Sequence, residues 1–80
     1  MDIETQTKIC QAVYDYKERY TKRITSEQLI HNFAKPATKI AWAEAEIQLE
    51  EAFTLGIILD TGGVIELTGL GLLRLGKAQE

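Results

Sequence analysis

Crosslinks are excluded first. The chain has a single cysteine, Cys10, so no internal disulfide can form and packing alone must carry the fold. One unpaired cysteine fits a reducing cytoplasm, the location expected here. No apolar run approaches the ~20 residues that span a bilayer. Met1-Asp2-Ile3-Glu4 is acidic and lacks the basic start and apolar stretch of a signal peptide, so no leader is expected. Internal repeats, low-complexity tracts and linkers are missing, which leaves residues 1–80 as one expected domain. His31 is the only histidine and has no second His or Cys at ligand spacing, so it reads as a surface or cap residue and not as a metal ligand. There is no nucleophile–base pairing, phosphate loop or cofactor motif. The expectation is a protein that is not an enzyme and carries neither cofactor nor metal.

What is present is the composition of an ordinary folded domain, with 45% hydrophobic and 26% charged residues. At 80 residues the core is small, so dimerisation or a partner is expected to add stability. The net charge of −3 is unevenly spread. Residues 1–39 hold seven Lys/Arg against five Asp/Glu, and residues 40–80 hold two against seven. Lys17, Arg19, Lys22, Arg23, Lys35 and Lys39 face only Glu18 and Glu27 across the basic stretch. The plain reading is solvated surface. The functional reading is a patch that meets phosphates or an acidic protein.

Along the chain, Ile9, Val13, Tyr16 and Tyr20 recur at helical spacing and predict a first helix over 4–20, with Cys10 widening the buried stripe. The intervening Lys, Glu, Asp and Gln are expected to face water. No N-cap better than Glu4 or Thr5 marks its start. Thr25-Ser26-Glu27-Gln28 is a capping box, and Ile24 with Leu29 forms a hydrophobic staple across it. The second helix therefore starts at Thr25, buries Leu29, Ile30 and Phe33, and ends near Ala34 ahead of Pro36. A third helix runs from about Pro36–Thr38 to Leu55, where Gly56 stops it. Trp42, Ala45, Leu49 and Phe53 form one apolar stripe on it, and Ile40, Ala43 and Ile47 form another, so this helix is expected to be packed on both sides. Ile57–Asp60 and Val64–Leu67 predict two strands around a turn that contains Gly62-Gly63. Thr68 can cap a last short helix carrying Leu70, Leu72, Leu73 and Leu75. Gly69, Gly71 and Gly76 weaken that helix by roughly 1 kcal/mol each relative to alanine, which leaves an extended segment over 70–76 as the alternative.

The fold class is therefore mainly α with a small β-hairpin, in the order α-α-α-β-β-(α), the order of a winged helix with a helix-turn-helix core. The segment Leu55-Gly56-Ile57-Ile58 with Leu67-Thr68-Gly69-Leu70-Gly71-Leu72-Leu73 resembles the C-terminal half of winged helix-turn-helix regulators such as the MarR and PadR families. The Thr25-Ser26-Glu27-Gln28-Leu29 opening of the second helix is similar too. The resemblance implies DNA binding, with the third helix in the major groove and the hairpin, the wing, on the flanking backbone. By position it assigns Ser26 and Glu27 to the start of the second helix, Thr38, Lys39, Trp42 and Ala43 to the start of the recognition helix, and Thr61, Gly62 and Gly63 to the wing tip. This chain departs from the pattern in three ways. Its third helix carries Glu44, Glu46, Glu50 and Glu51, its wing tip has no cation, and it lacks long flanking dimerisation helices.

Affinity for duplex DNA comes mainly from neutralising phosphates. The candidate DNA-binding residues are Lys22, Arg23, Ser26, Lys35, Thr38 and Lys39, on the edge that precedes and opens the third helix. The first reading is a small DNA-binding, transcription-regulatory protein. The alternative is a winged-helix protein–protein module without DNA binding. The four glutamates are read as a solvated face, and Trp42 as core, or else as an exposed anchor for a protein partner. Leu70, Leu72, Leu73 and Leu75 make the Leu-rich end a candidate homodimer contact.

Overall fold

The structure, a computed structural model, describes residues 2–33 and 39–77 and, among these, all side chains except those of Phe33, Lys39 and Ile40. Six elements follow in order: α1 (Ile3–Tyr20), α2 (Ser26–Phe33), α3 (Lys39–Leu55), β1 (Ile58–Thr61), β2 (Val64–Leu67) and α4 (Gly69–Arg74). The expected α-α-α-β-β-α layout is what the chain adopts. The expectations that rest on residues 34–38, the end of α2 at Ala34 and the start of α3 at Pro36 or Thr38, lie outside the described residues.

α1 starts one residue earlier than its apolar spacing suggests, because Asp2 is the N-cap. Its Oδ1 accepts from the Thr5 amide at 2.8 Å, and that bond holds the Asp2 carboxyl below its ordinary range. Ile9, Cys10 and Val13 are buried, whereas Tyr20, at the end of the same stripe, is 51% exposed and rests on Tyr16. The expectation that the glutamines of α1 face water fails at Gln6. It is only 6% exposed, because Arg74 of α4 lies over it and donates from Nε to Gln6 Oε1 at 2.8 Å.

The capping box of α2 is formed in both directions. The Gln28 amide donates to Thr25 Oγ1 at 3.2 Å, and the Thr25 amide donates to Gln28 Oε1 at 3.3 Å. The staple residues Ile24 and Leu29 are both fully buried in one cluster with Ile9, Cys10 and Val13. Burial of each such side chain contributes about 1.5–3 kcal/mol. Just before the helix, Ile24 and Thr25 are extended and pair with the hairpin. The Ile24 carbonyl accepts from the Ile65 amide at 2.8 Å, and Thr25 forms a bridge to Val64. This isolated bridge ties the helical half of the chain to the hairpin.

α3 contributes Ala45, Leu49 and Ala52 to the core, with Phe53 half-buried against it. The expectation of burial on both sides fails at two of its residues. Ala43 is exposed and Ile47 is 57% exposed, while the side chain of Ile40, the third member of that stripe, lies outside the described ones. The reason is that α1, α2 and β1 all pack on the Ala45–Leu49–Ala52 side. Trp42 is half-buried, with its ring edge-on to His31 at 6.0 Å between centroids, so it is neither core nor free anchor.

α3 ends in a Schellman motif. Gly56 has φ +78°, its amide donates to the Phe53 carbonyl at 3.1 Å, and the Ile57 amide donates to Ala52 at 3.3 Å. β1 begins at Ile58, one residue later than expected, because Ile57 is used by this motif. The antiparallel register pairs Ile58 with Leu67 and Thr61 with Val64, leaving Gly62 and Gly63 as a two-residue turn. Both have positive φ, +65° and +91°, as a type I′ turn requires. Asp60 Oδ1 closes the turn by accepting from the Gly63 amide at 2.8 Å.

Residues 69–74 are helical, which decides against the extended alternative. Thr68 caps α4 through Oγ1, which accepts from the Gly71 amide at 3.1 Å and donates to the Gly56 carbonyl. The Thr68 amide donates to the Ile57 carbonyl at 3.2 Å. Gly71 sits directly over that carbonyl. A Cβ there would overlap the Ile57 oxygen and press on Leu67 Cδ2 at 3.0 Å. The glycine is needed for this close approach, even though alanine favours helix by about 1 kcal/mol. Gly71→Ala is expected to lower stability by about 2 kcal/mol net of that helix gain, or roughly 10 °C in Tm for a domain of this size. Thermal melting followed by circular dichroism checks it, and an unchanged or higher Tm would contradict the packing described.

Candidate functional site

The candidate interface is the corner where α1 turns into α2. α1 ends with Lys17 and Arg19 in its last turn, where cations also complement the helix dipole. Thr21 then caps it in the left-handed conformation, at φ 53° and ψ 28°, while its amide donates to the Lys17 carbonyl at 2.9 Å. A β-branched residue is rare in this conformation, and it costs roughly 1–2 kcal/mol relative to the right-handed one. The reversal at Thr21 sends Lys22 and Arg23 back across the end of α1, toward the start of α2. Lys17, Arg19, Lys22 and Arg23 are all exposed there. Lys17, Lys22 and Arg23 line one open groove with Tyr16, Thr25, Gln28 and Val64, whereas Arg19, two residues on from Lys17 and so on another side of α1, lines a second with His31 and Asn32.

The corner does not present its cations equally. Arg23 Nη2 lies 2.7 Å from Glu66 Oε1, on β2, and Glu66 also accepts from Thr61 Oγ1 at 3.1 Å. Arg23 is thereby held to the wing. The pair is partly exposed, so it contributes about 0–1 kcal/mol to stability, but it positions the guanidinium and sets a carboxylate against its charge. Lys17, Arg19 and Lys22 have no ion pair with a described residue.

Of the six residues expected from sequence to contact DNA, the structure brings Lys22, Arg23 and Ser26 together around the corner. Ser26 is the first residue of α2 and is half-buried. Lys39 is the first residue of α3. Lys35 and Thr38 lie outside the described residues. Lys17 lines the same groove as Lys22 but was recognised from sequence only as part of a basic stretch. Helical spacing places Lys17 in the last turn of α1, yet nothing in Tyr20-Thr21-Lys22 announces the left-handed reversal that brings Lys22 to that groove.

No family model, curated protein or solved structure matches the chain. Among the described residues, no group of three His, Cys, Asp or Glu side chains could hold a metal ion. No helix among them is long and apolar enough to cross a membrane. The wing tip, Thr61-Gly62-Gly63, is exposed and carries no charge.

α3 shows the opposite electrostatics. Ala43, Ile47, Glu50 and Thr54 follow one another at helical spacing along its outermost line, and all are exposed. Glu46 lies on one side of that line and Glu44 and Glu51 on the other, all exposed as well. A groove of phosphates would meet carboxylates across most of this face.

Cys10 completes the inventory of reactive groups. It is fully buried in the core cluster, and burial raises its thiol above the ordinary range, with Arg74 pulling weakly the other way. A thiol raised in this way stays protonated and unreactive near neutral pH. In native protein at about pH 8 it should resist iodoacetamide, and it should react promptly once the chain is unfolded in guanidinium. Alkylation of the native state at the rate of a free thiol would contradict this burial.

Proposed function

We propose that this chain is a small winged-helix DNA-binding protein with a regulatory role in a reducing cytoplasm, and that it touches the duplex with the α1–α2 corner. The observation that carries this reading is that Lys17 and Lys22 line one exposed groove at the corner, beside the capped start of α2. Phosphate neutralisation by such cations supplies sequence-independent affinity. Arg23 and Ser26 adjoin them, and Lys35, Thr38 and Lys39 extend the same edge in the sequence toward α3. The outward face of α3 stays out of the groove in this reading, because its glutamates would repel the backbone. Leu70 and Leu73, exposed at 38% and 57% on one side of α4, support a homodimer that adds a second set of phosphate contacts. Leu72 and Leu75 are half-buried and contribute less to such a contact.

A second reading, a protein-docking module without DNA binding, is favoured by the exposed carboxylates of α3 and the uncharged wing tip.

A salt titration of binding to generic duplex DNA separates the two. The DNA reading expects detectable affinity at low salt, with a log–log slope of about −2 to −4 for a few phosphate contacts per protomer. Lys17→Glu with Lys22→Glu should reduce affinity at least about tenfold, and Glu66→Gln, which releases Arg23, should raise it about twofold. Sedimentation of the complex should give two chains per duplex. No binding at low ionic strength would leave the protein-docking reading standing.

A further inference from the structure

We propose that the outward face of α3 is a docking surface for a basic amphipathic helix of another protein. The face has an apolar centre, Ala43 and Ile47, with Ile47 57% exposed in the middle of a 17-residue helix. Glu46 and Glu50 border that centre on one side and Glu44 and Glu51 on the other. From Ile40 to Leu55 there is no cation at all.

This pattern works against the helix that carries it. Glu50 and Glu51 lie toward the C-terminal end, where the helix dipole disfavours negative charge, and neither the first turn holds an acid nor the last turn a base. Glu46 and Glu50 are also a like-charged pair at i, i+4, an arrangement that destabilises helices by a few tenths of a kcal/mol. Helix stability therefore does not explain the placement of Glu46 and Glu50, and neither does the core, which lies on the Ala45–Leu49–Ala52 side.

Charge complementarity names the occupant. A helix with aliphatic side chains at i, i+3/i+4 and i+7 would cover Ala43 and Ile47, and Lys or Arg on both flanks would meet the two glutamate rows. Nucleic acid is excluded from this face by its phosphates. A second copy docking through the same face is disfavoured too, because a two-fold contact would set glutamates against glutamates. This surface stands apart from the basic corner, so either can fail without the other.

The test uses the full chain and a synthetic amphipathic helix of Lys and Leu, with a control peptide of equal charge in which Leu is replaced by Gln. Calorimetric titration should show saturable one-to-one binding of the Lys/Leu peptide, and at least about tenfold weaker binding of the control. Ile47→Ser, and separately Glu46→Lys with Glu50→Lys, should each weaken binding at least about tenfold, while Ile3→Ser at the start of α1, an equally exposed isoleucine, should leave it unchanged. All these side chains are exposed, and thermal melts should confirm that the variants fold. Equal binding of the two peptides, indifference to Ile47→Ser, or loss of binding on Ile3→Ser would overturn the proposal. So would self-association of the chain alone that disappears in the Glu46→Lys, Glu50→Lys variant, since the face would then belong to a second copy's basic corner.

Discussion

The end of α3, the base of the wing and the start of α4 meet at two consecutive carbonyls, those of Gly56 and Ile57. Thr68 bonds to both, through its hydroxyl and its amide respectively, and Gly71 closes over Ile57 with no side chain between. The Schellman turn at Gly56 presents these carbonyls, and the hairpin returns the chain to them after the paired strands. Hydrogen bonds of this kind are individually modest, but leaving either carbonyl buried and unpaired would cost more than the bond supplies. The strain-free geometry of the turn, the glycine at the contact and the cap of α4 therefore depend on one another. The Ile24–Ile65 bond extends the same frame to the start of α2.

The consequence for function is a division of surfaces. α1, α2 and β1 pack on the Ala45–Leu49–Ala52 side of α3, and Ala43, Glu44, Glu46, Ile47 and Glu50 are exposed on its other side. The cations gather at the far end of α1, held by the Thr21 reversal and by the capping box that follows. The lopsided charge of the sequence becomes a spatial separation between a basic corner and an acidic helix. Arg23, paired with Glu66, is a point where the two signs meet.

Much of the fold was legible because its signals are local. The Thr25–Gln28 box, the Gly56 stop, the Gly62-Gly63 turn and the Thr68 cap each depend on a few adjacent residues with one favourable geometry, and each is formed. What escaped is what depends on neighbours distant in sequence. Gln6 looked solvent-facing until Arg74 was brought over it. Ala43 and Ile47 looked like core because apolar spacing reports a stripe but not whether anything covers it. The pairing of Ile24 and Thr25 with the wing has only two β-branched residues as its signal. At the site, the basic stretch was visible in composition, whereas its grouping depends on a left-handed threonine that no glycine announced. The attachment of Arg23 to Glu66, across more than half the chain, was not readable at all.

The central claim is that the corner, and not the outward face of α3, meets nucleic acid. A map of amide shifts on adding a generic DNA duplex to isotope-labelled protein at low salt tests it most directly. The largest changes should fall between Lys17 and Ser26, with Ala43, Ile47, Glu50 and Thr54 nearly unmoved. Changes concentrated on those α3 residues, with the corner unaffected, would contradict it.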